Sequence, residues 1–149
     1  MKICLVASSG GHLLQLFRLR DAWISHDPFW VTFPNADAQT LLKKERVFWA
    51  HQPTNRNLKN LLRNLWLAWR ILRREKPQLI LSTGAGVAVP FIWVGRLLGI
   101  GAVYVESISR IDRLSLTGRL VYPVVHQFYV QWPDLAEKYS KAVYGGQVL

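Results

Sequence analysis

The chain has 149 residues, half of them apolar and 19% charged, which suffices for one buried core and excludes wholesale disorder. Nineteen lysines and arginines against nine acids give a net charge of +10; with seven tryptophans, this points to a membrane surface or a nucleic acid as partner. A lone cysteine, Cys4, excludes an internal disulfide framework, and Met1–Lys2 leads straight into a short apolar segment with no signal-peptide pattern, which places the chain in the cytoplasm or on its membrane face.

In chain order, Lys2–Ala7 is a continuous apolar run that predicts a strand buried on both faces. Ser8 to His12 predicts a turn. Leu13, Leu14, Leu16, Phe17 and Trp23 follow at mostly helical spacing, and Asp27-Pro28 ends that helix. Phe29–Phe33 predicts a strand, Asp37–Lys44 a short helix, Arg46–Ala50 a strand, and Asn55–Lys76 a long helix stopped by Pro77. Leu79–Ser82 predicts a strand, Thr83–Gly86 a turn, Val87–Leu98 a helix and Ala102–Val105 another strand. Leu116–Val121 (helix), Gln127–Val130 (strand), Asp134–Tyr139 (helix) and a last strand near Ala142–Val148 complete the series. Alternating strands and helices predict an α/β, doubly wound, mostly parallel sheet in a single domain spanning 1–149. Leu79–Val105 is apolar enough to raise a membrane span, but Gly84, Gly86, Pro90, Gly95 and Gly99 break it as buried α/β structure would.

A doubly wound sheet binds ligands at the carboxyl ends of its strands. Two loops there are glycine-rich, Ser9-Gly10-Gly11-His12 and Gly84-Ala85-Gly86, and glycine allows the backbone to approach a phosphate closely. The same glycines also suit plain tight turns. The dinucleotide fingerprint is missing, because the first loop reads Ser-Gly-Gly-His and the second strand ends at Phe33-Pro34-Asn35, without an acid. This disfavours a nicotinamide enzyme. His12, at a helix start, is a candidate general acid or base, or a capping residue. Glu106 ends a strand in the same crevice, as a second catalytic candidate or as an ion-pair partner of Arg110 or Arg113. The remaining histidines are scattered, so no metal site is expected.

The long helix carries Arg56, Lys59, Arg63, Arg70, Arg73, Arg74 and Lys76 against Glu75 alone. Leu58, Leu61, Leu62, Leu65, Trp69 and Leu72 form a stripe expected to pack on the sheet. Lys59, Arg63, Trp66, Arg70 and Arg73 form a cationic face with a tryptophan at its centre. Such a face suits an anionic membrane, or is simply a solvated face of a crossover helix. Nucleic acid would explain the charge, but no nucleic-acid-binding motif accompanies it, and none is expected as a partner.

Five motifs in order resemble one family. They are Ser8-Ser9-Gly10-Gly11-His12-Leu13; Ser82-Thr83-Gly84-Ala85-Gly86-Val87 with Pro90; Tyr104-Val105-Glu106-Ser107; Leu114 to Leu120 with Tyr122-Pro123; and Val130-Gln131-Trp132-Pro133. Together they resemble the asparagine-linked glycosylation protein 14 family and its bacterial relatives, the enhancer subunits of capsule and exopolysaccharide glycosyltransferases. The resemblance implies a Rossmann-like, amino-terminal half of a GT-B glycosyltransferase, split off as its own chain. It implies a peripheral protein on the cytoplasmic face of the plasma membrane that binds a polyprenyl-diphosphate-linked sugar. It also implies a partner resembling asparagine-linked glycosylation protein 13, the carboxyl-terminal half that holds the UDP-sugar, with no cofactor on this chain. On that reading Ser9, Gly10, Gly11, His12, Gly84, Ala85, Gly86, Ser107 and Arg110 hold the acceptor diphosphate, and His12 or Glu106 assists deprotonation. Eukaryotic members carry an amino-terminal transmembrane helix; here the first strand starts at once, so membrane contact is expected from Lys59, Arg63, Trp66, Arg70 and Arg73, with Phe91 and Trp93. The apolar stretch Ala142–Leu149 is expected to be an edge strand or partner contact.

Overall fold

The computed structural model describes residues 1–148. Seven strands alternate with helices: β1 (Lys2–Ala7), α1 (Gly11–Arg18), α2 (Arg20–Trp23), β2 (Asp27–Thr32), α3 (Ala36–Leu41), β3 (Val47–Trp49) and α4 (Leu58–Glu75). The second half adds β4 (Leu79–Gly84), α5 (Ala88–Leu97), β5 (Gly101–Val105), α6 (Leu116–Val121), β6 (Gln127–Val130), α7 (Pro133–Lys138) and β7 (Ala142–Tyr144). All strand pairs are parallel, in the order β3-β2-β1-β4-β5-β6-β7.

Strand residues alternate between two cores, as a period of two requires. Cys4, Val6, Phe29 and Ile80 face α4 and α5, meeting Ala68, Ile71, Phe91 and Ile92. Ile3, Leu5, Ala7 and Trp30 face the other way, against Leu13, Leu16 and Trp23. Helices therefore cover both faces. The chain winds outward in one direction from β1 and in the other from β4, so a crevice opens between the carboxyl ends of these two strands.

Several boundaries differ from expectation. The first helix breaks at Leu19 into α1 and α2. β4 runs on to Gly84, because Ala7 pairs with Gly84 and the Ser8 N–H donates to the Gly84 carbonyl at 2.9 Å. α4 starts at Leu58, where the Asn57 side chain caps it by accepting the Asn60 N–H at 2.9 Å, and stops at Lys76 in a left-handed conformation before Pro77. β7 is the edge strand, but only over Ala142–Tyr144; Leu149, the end of the expected edge segment, lies outside the described residues. Among the described residues no helix is long and apolar enough to cross a membrane.

The apolar stripe expected to pack on the sheet is largely reversed. Leu58, Leu62 and Trp69 are 69%, 58% and 39% exposed, while Asn60, Asn64, Leu67, Ala68, Ile71 and Glu75 turn inward, together with Leu72. The inward polar groups have partners. Asn64 accepts the His51 N–H and donates to the His51 carbonyl, both at 2.9 Å, and Asn60 donates to the Pro53 carbonyl at 2.8 Å. Glu75 pairs with Arg46 and with Arg74. Two asparagines facing inward thus tie the loop after β3 to the helix.

Candidate functional site

His12 stands at the start of α1, beside the carboxyl end of β4. Its Nδ1 lies 2.9 Å from the Thr83 carbonyl oxygen, and the Thr83 hydroxyl donates back to the His12 carbonyl at 2.6 Å. A carbonyl only accepts, so Nδ1 carries the proton and the neutral ring keeps Nε2 as its acceptor. Gly84 is held at φ +106°, and a Cβ there would come within 3.1 Å of His12 Nδ1 and 3.2 Å of the Tyr104 hydroxyl. Only glycine lets histidine and tyrosine converge over this turn.

His12, Ala85 and Gly86 form one wall of a cavity of about 770 Å³ at the switch point. The Thr54–Asn57 loop with Leu58 and Leu61 forms a second wall, and Ser107, Ser109 and Arg110 with Ser115, Leu116 and Leu120 form a third. Of the expected site residues, the cavity brings together His12, Ala85, Gly86, Ser107 and Arg110. Ser9, Gly10, Gly11 and Gly84 lie outside the lining. The Gly10 N–H is already bound to the Asp37 carboxylate at 2.7 Å, and the Ser9 hydroxyl accepts from Asn35 at 2.5 Å. Within the first glycine loop, the Ser9 hydroxyl and the Gly10 amide are thus engaged inside the protein.

Glu106 also differs from expectation. It is 1% exposed and does not line the cavity. Its carboxylate accepts the Ser107 N–H, the Ser115 N–H and the Ser115 hydroxyl, all at 2.9 Å. Among the described residues the ion pairs all end on Glu75, so neither Arg110 nor Arg113 pairs with Glu106. The carboxylate fastens two segments of cavity wall together from behind. Tyr104 lies over it, and burial first, then the Glu106 charge, push the phenol pKa up, with Ser115 and Arg110 opposing in part. Tyr104 stays protonated.

The Gln-Trp-Pro motif serves the same wall. Buried Gln131 donates to the Glu106 carbonyl at 2.9 Å, and the Trp132 indole donates to the Ile108 carbonyl at 2.6 Å. On the opposite wall, a Cβ on Gly86 would stand 2.8 Å from the Thr54 hydroxyl, so the glycine there makes room for the Thr54–Asn57 loop. Substituting Gly86 by valine is therefore expected to displace that loop and reshape the cavity wall; faster amide hydrogen exchange over Thr54–Asn57 would check this. The Thr54–Asn57 wall, including Arg56, was missed in sequence because those residues read as the first turn of the long helix. An Asn57 cap ahead of Leu58 is the signal that could have found it.

The outer face of α4 presents Lys59, Arg63, Arg70 and Arg73 around exposed Trp66 and Trp69, and the Arg73 guanidinium sits 5.1 Å from the Trp69 ring centre. Leu58 belongs both to this face and to the cavity wall, so the two are contiguous. Trp93 is exposed, with its indole donating to the Leu120 carbonyl at 3.0 Å. Phe91 is 0% exposed and packs under α5 in the core, so it is removed from the expected membrane contacts. Two residues apart on a helix, the two aromatics point to opposite sides.

A doubly wound parallel sheet with a cavity at its switch point defines a Rossmann-like domain of the GT-B type, and solved structures share its fold. It matches Acinetobacter baumannii MurG with a TM-score of 0.74 at 19% identity, covering 90% of this chain and 43% of that one. It matches S. aureus MnaA bound to UDP with a TM-score of 0.76 at 14% identity, covering 99% of this chain and 44% of that one. The chain thus spans less than half the length of these solved structures. The chain belongs to the Alg14 family: residues 35–148 match the family described as "Oligosaccharide biosynthesis protein Alg14 like". The human relative, "UDP-N-acetylglucosamine transferase subunit ALG14", is 30% identical over 180 aligned positions that cover all of this chain and 83% of the human one. The Schizosaccharomyces pombe protein of the same description is 47% identical over 77 positions, covering 48% of this chain and 37% of that one.

Proposed function

We propose that this chain is the acceptor-binding subunit of a two-component glycosyltransferase in polysaccharide assembly of the capsule or exopolysaccharide kind. A polyprenyl-diphosphate-linked sugar occupies the cavity, and a separate carboxyl-terminal-half subunit supplies the UDP-sugar. The single observation that carries this reading is the cavity itself. It joins a histidine with a free acceptor nitrogen and the polar groups of Ser107, Ser109 and Arg110 to an apolar lining of Leu58, Leu61, Val89 and Leu116, and it opens beside an apolar, cationic helix face. An acceptor with a sugar head and a lipid tail needs both environments at once.

In the reaction the acceptor hydroxyl gives its proton to His12 Nε2 while its oxygen attacks the anomeric carbon. The bond from that carbon to UDP breaks, and UDP leaves with the electron pair on the partner's side. Ser107 and Arg110 hold the acceptor head. Titration calorimetry of the isolated chain tests the binding half of this account. A short prenyl-diphosphate-linked N-acetylglucosamine should bind, and UDP-N-acetylglucosamine should not at micromolar concentrations. The reverse preference would overturn the assignment.

The helix face carries the membrane part of the proposal, a peripheral association with the cytoplasmic leaflet. Basic groups near anionic lipid contribute about 1 kcal/mol each, so changing Arg63, Arg70 and Arg73 to glutamate should weaken vesicle binding by about 3 kcal/mol, over a hundredfold. Co-sedimentation with anionic vesicles checks this. A folded triple variant that still pellets at high salt would remove the electrostatic part of the claim.

A further inference from the structure

Two guanidinium groups line the cavity, from opposite walls: Arg56 on the Thr54–Asn57 loop and Arg110 after β5. Among the described residues neither takes part in an ion pair, and neither guanidinium donates a hydrogen bond within the protein. Among the described residues no acidic side chain lines the cavity, and the Glu106 carboxylate behind its wall has both oxygens occupied by Ser107 and Ser115. Two unneutralised charges in one cavity repel each other and attract a ligand carrying negative charge.

Both arms are built on fastened loops. Asn60 and Asn64 tie down Pro53 and His51, Gln52 donates to Asn35 at 2.7 Å, and Asn57 caps α4, so Arg56 projects from a segment fixed on both sides. On the other side Trp132 holds Ile108, two residues before Arg110. Arginine suits the task because its planar fork bonds phosphate oxygens in pairs.

We infer that Arg56 and Arg110 form a two-armed clamp on the diphosphate of the lipid-linked acceptor, one guanidinium reaching it from each wall. The inference rests on the acceptor reading above and adds to it a residue, Arg56, and a basis for choosing a diphosphate over a monophosphate. A single phosphate engages one arm fully; a diphosphate engages both.

The test is titration of the full chain with geranyl diphosphate, geranyl monophosphate, geraniol and inorganic pyrophosphate. The wild-type chain should bind geranyl diphosphate about tenfold or more tighter than the monophosphate. Arg56→Gln and Arg110→Gln should each weaken diphosphate binding by about ten- to a hundredfold and bring it close to that of the monophosphate, on the scale of a lost charged hydrogen bond. Arg56→Lys should recover part of the loss, and thermal melts of all variants should match wild type because Arg56 and Arg110 are exposed. If Arg56→Gln binds as wild type while Arg110→Gln does not, the clamp is overturned and the acceptor reading stands. If pyrophosphate binds as well as geranyl diphosphate, the site takes free diphosphate and the lipid source is overturned. If the wild-type chain binds none of the four, clamp and acceptor reading fall together.

Discussion

Changing His12 to alanine will lower kcat of the reconstituted transferase by about 10²-fold or more, the usual scale for a general base. The acceptor KM should move little, because proton transfer to Nε2 matters in the transition state and not in binding. Folding will survive the change. The imidazole is only half-buried, the Thr83 hydroxyl keeps its bond to the His12 carbonyl, and the lost Nδ1 bond costs about 1 kcal/mol. Comparing kcat, KM and the melting temperature separates a chemical role from a structural one. Full activity in a folded His12→Ala complex would move the base to the partner subunit and leave this chain as a scaffold.

The second large effect concerns stability. Glu106→Leu removes the acceptor of two part-buried backbone donors, the Ser107 and Ser115 N–H groups, at about 1 kcal/mol each or somewhat more, and the chain should lose about 2–4 kcal/mol. Glu106→Gln keeps the shape and one acceptor oxygen, so it should cost about half as much. Gly118→Ala strikes the same cradle from the other side, because a Cβ there would sit on Glu106 Oε2. It should cost about 1–3 kcal/mol by overpacking. Urea denaturation measures all three. Were Glu106→Leu as stable as wild type, the carboxylate would not be fastening the wall, and its retention would call for a chemical explanation.

The sequence made the sheet legible because buried parallel strands are short apolar runs. Lys2–Ala7 and Gln127–Val130 match the structure residue for residue, and the alternation of strands with helices gave the parallel, doubly wound class, though not the strand order. The position of the crevice followed from the same rule. What stayed hidden was direction. Periodicity in α4 separates two faces but does not say which one the core takes, and exposed apolar residues are common enough that Leu58 and Leu62 misled. Asn60 and Asn64 face inward because the loop after β3 supplies backbone partners, which no local pattern shows. Glu106 looked like an arginine's partner because arginines lie close in sequence, whereas its true partners, Ser107 and Ser115, include one nine residues away. Resemblance to the family identified the Gln131-Trp132 block, and only the structure gives its work, holding the loop that carries Arg110.

The division of labour between two chains is the central claim, and transfer assayed in three tubes tests it most directly. Labelled N-acetylglucosamine is followed from UDP onto a short prenyl-diphosphate-linked N-acetylglucosamine, with this chain alone, with a carboxyl-terminal-half partner alone, and with both. The account predicts product only when both chains are present, and loss of that product when His12 is changed. Turnover by this chain alone, or by the partner alone at the rate of the mixture, would contradict it.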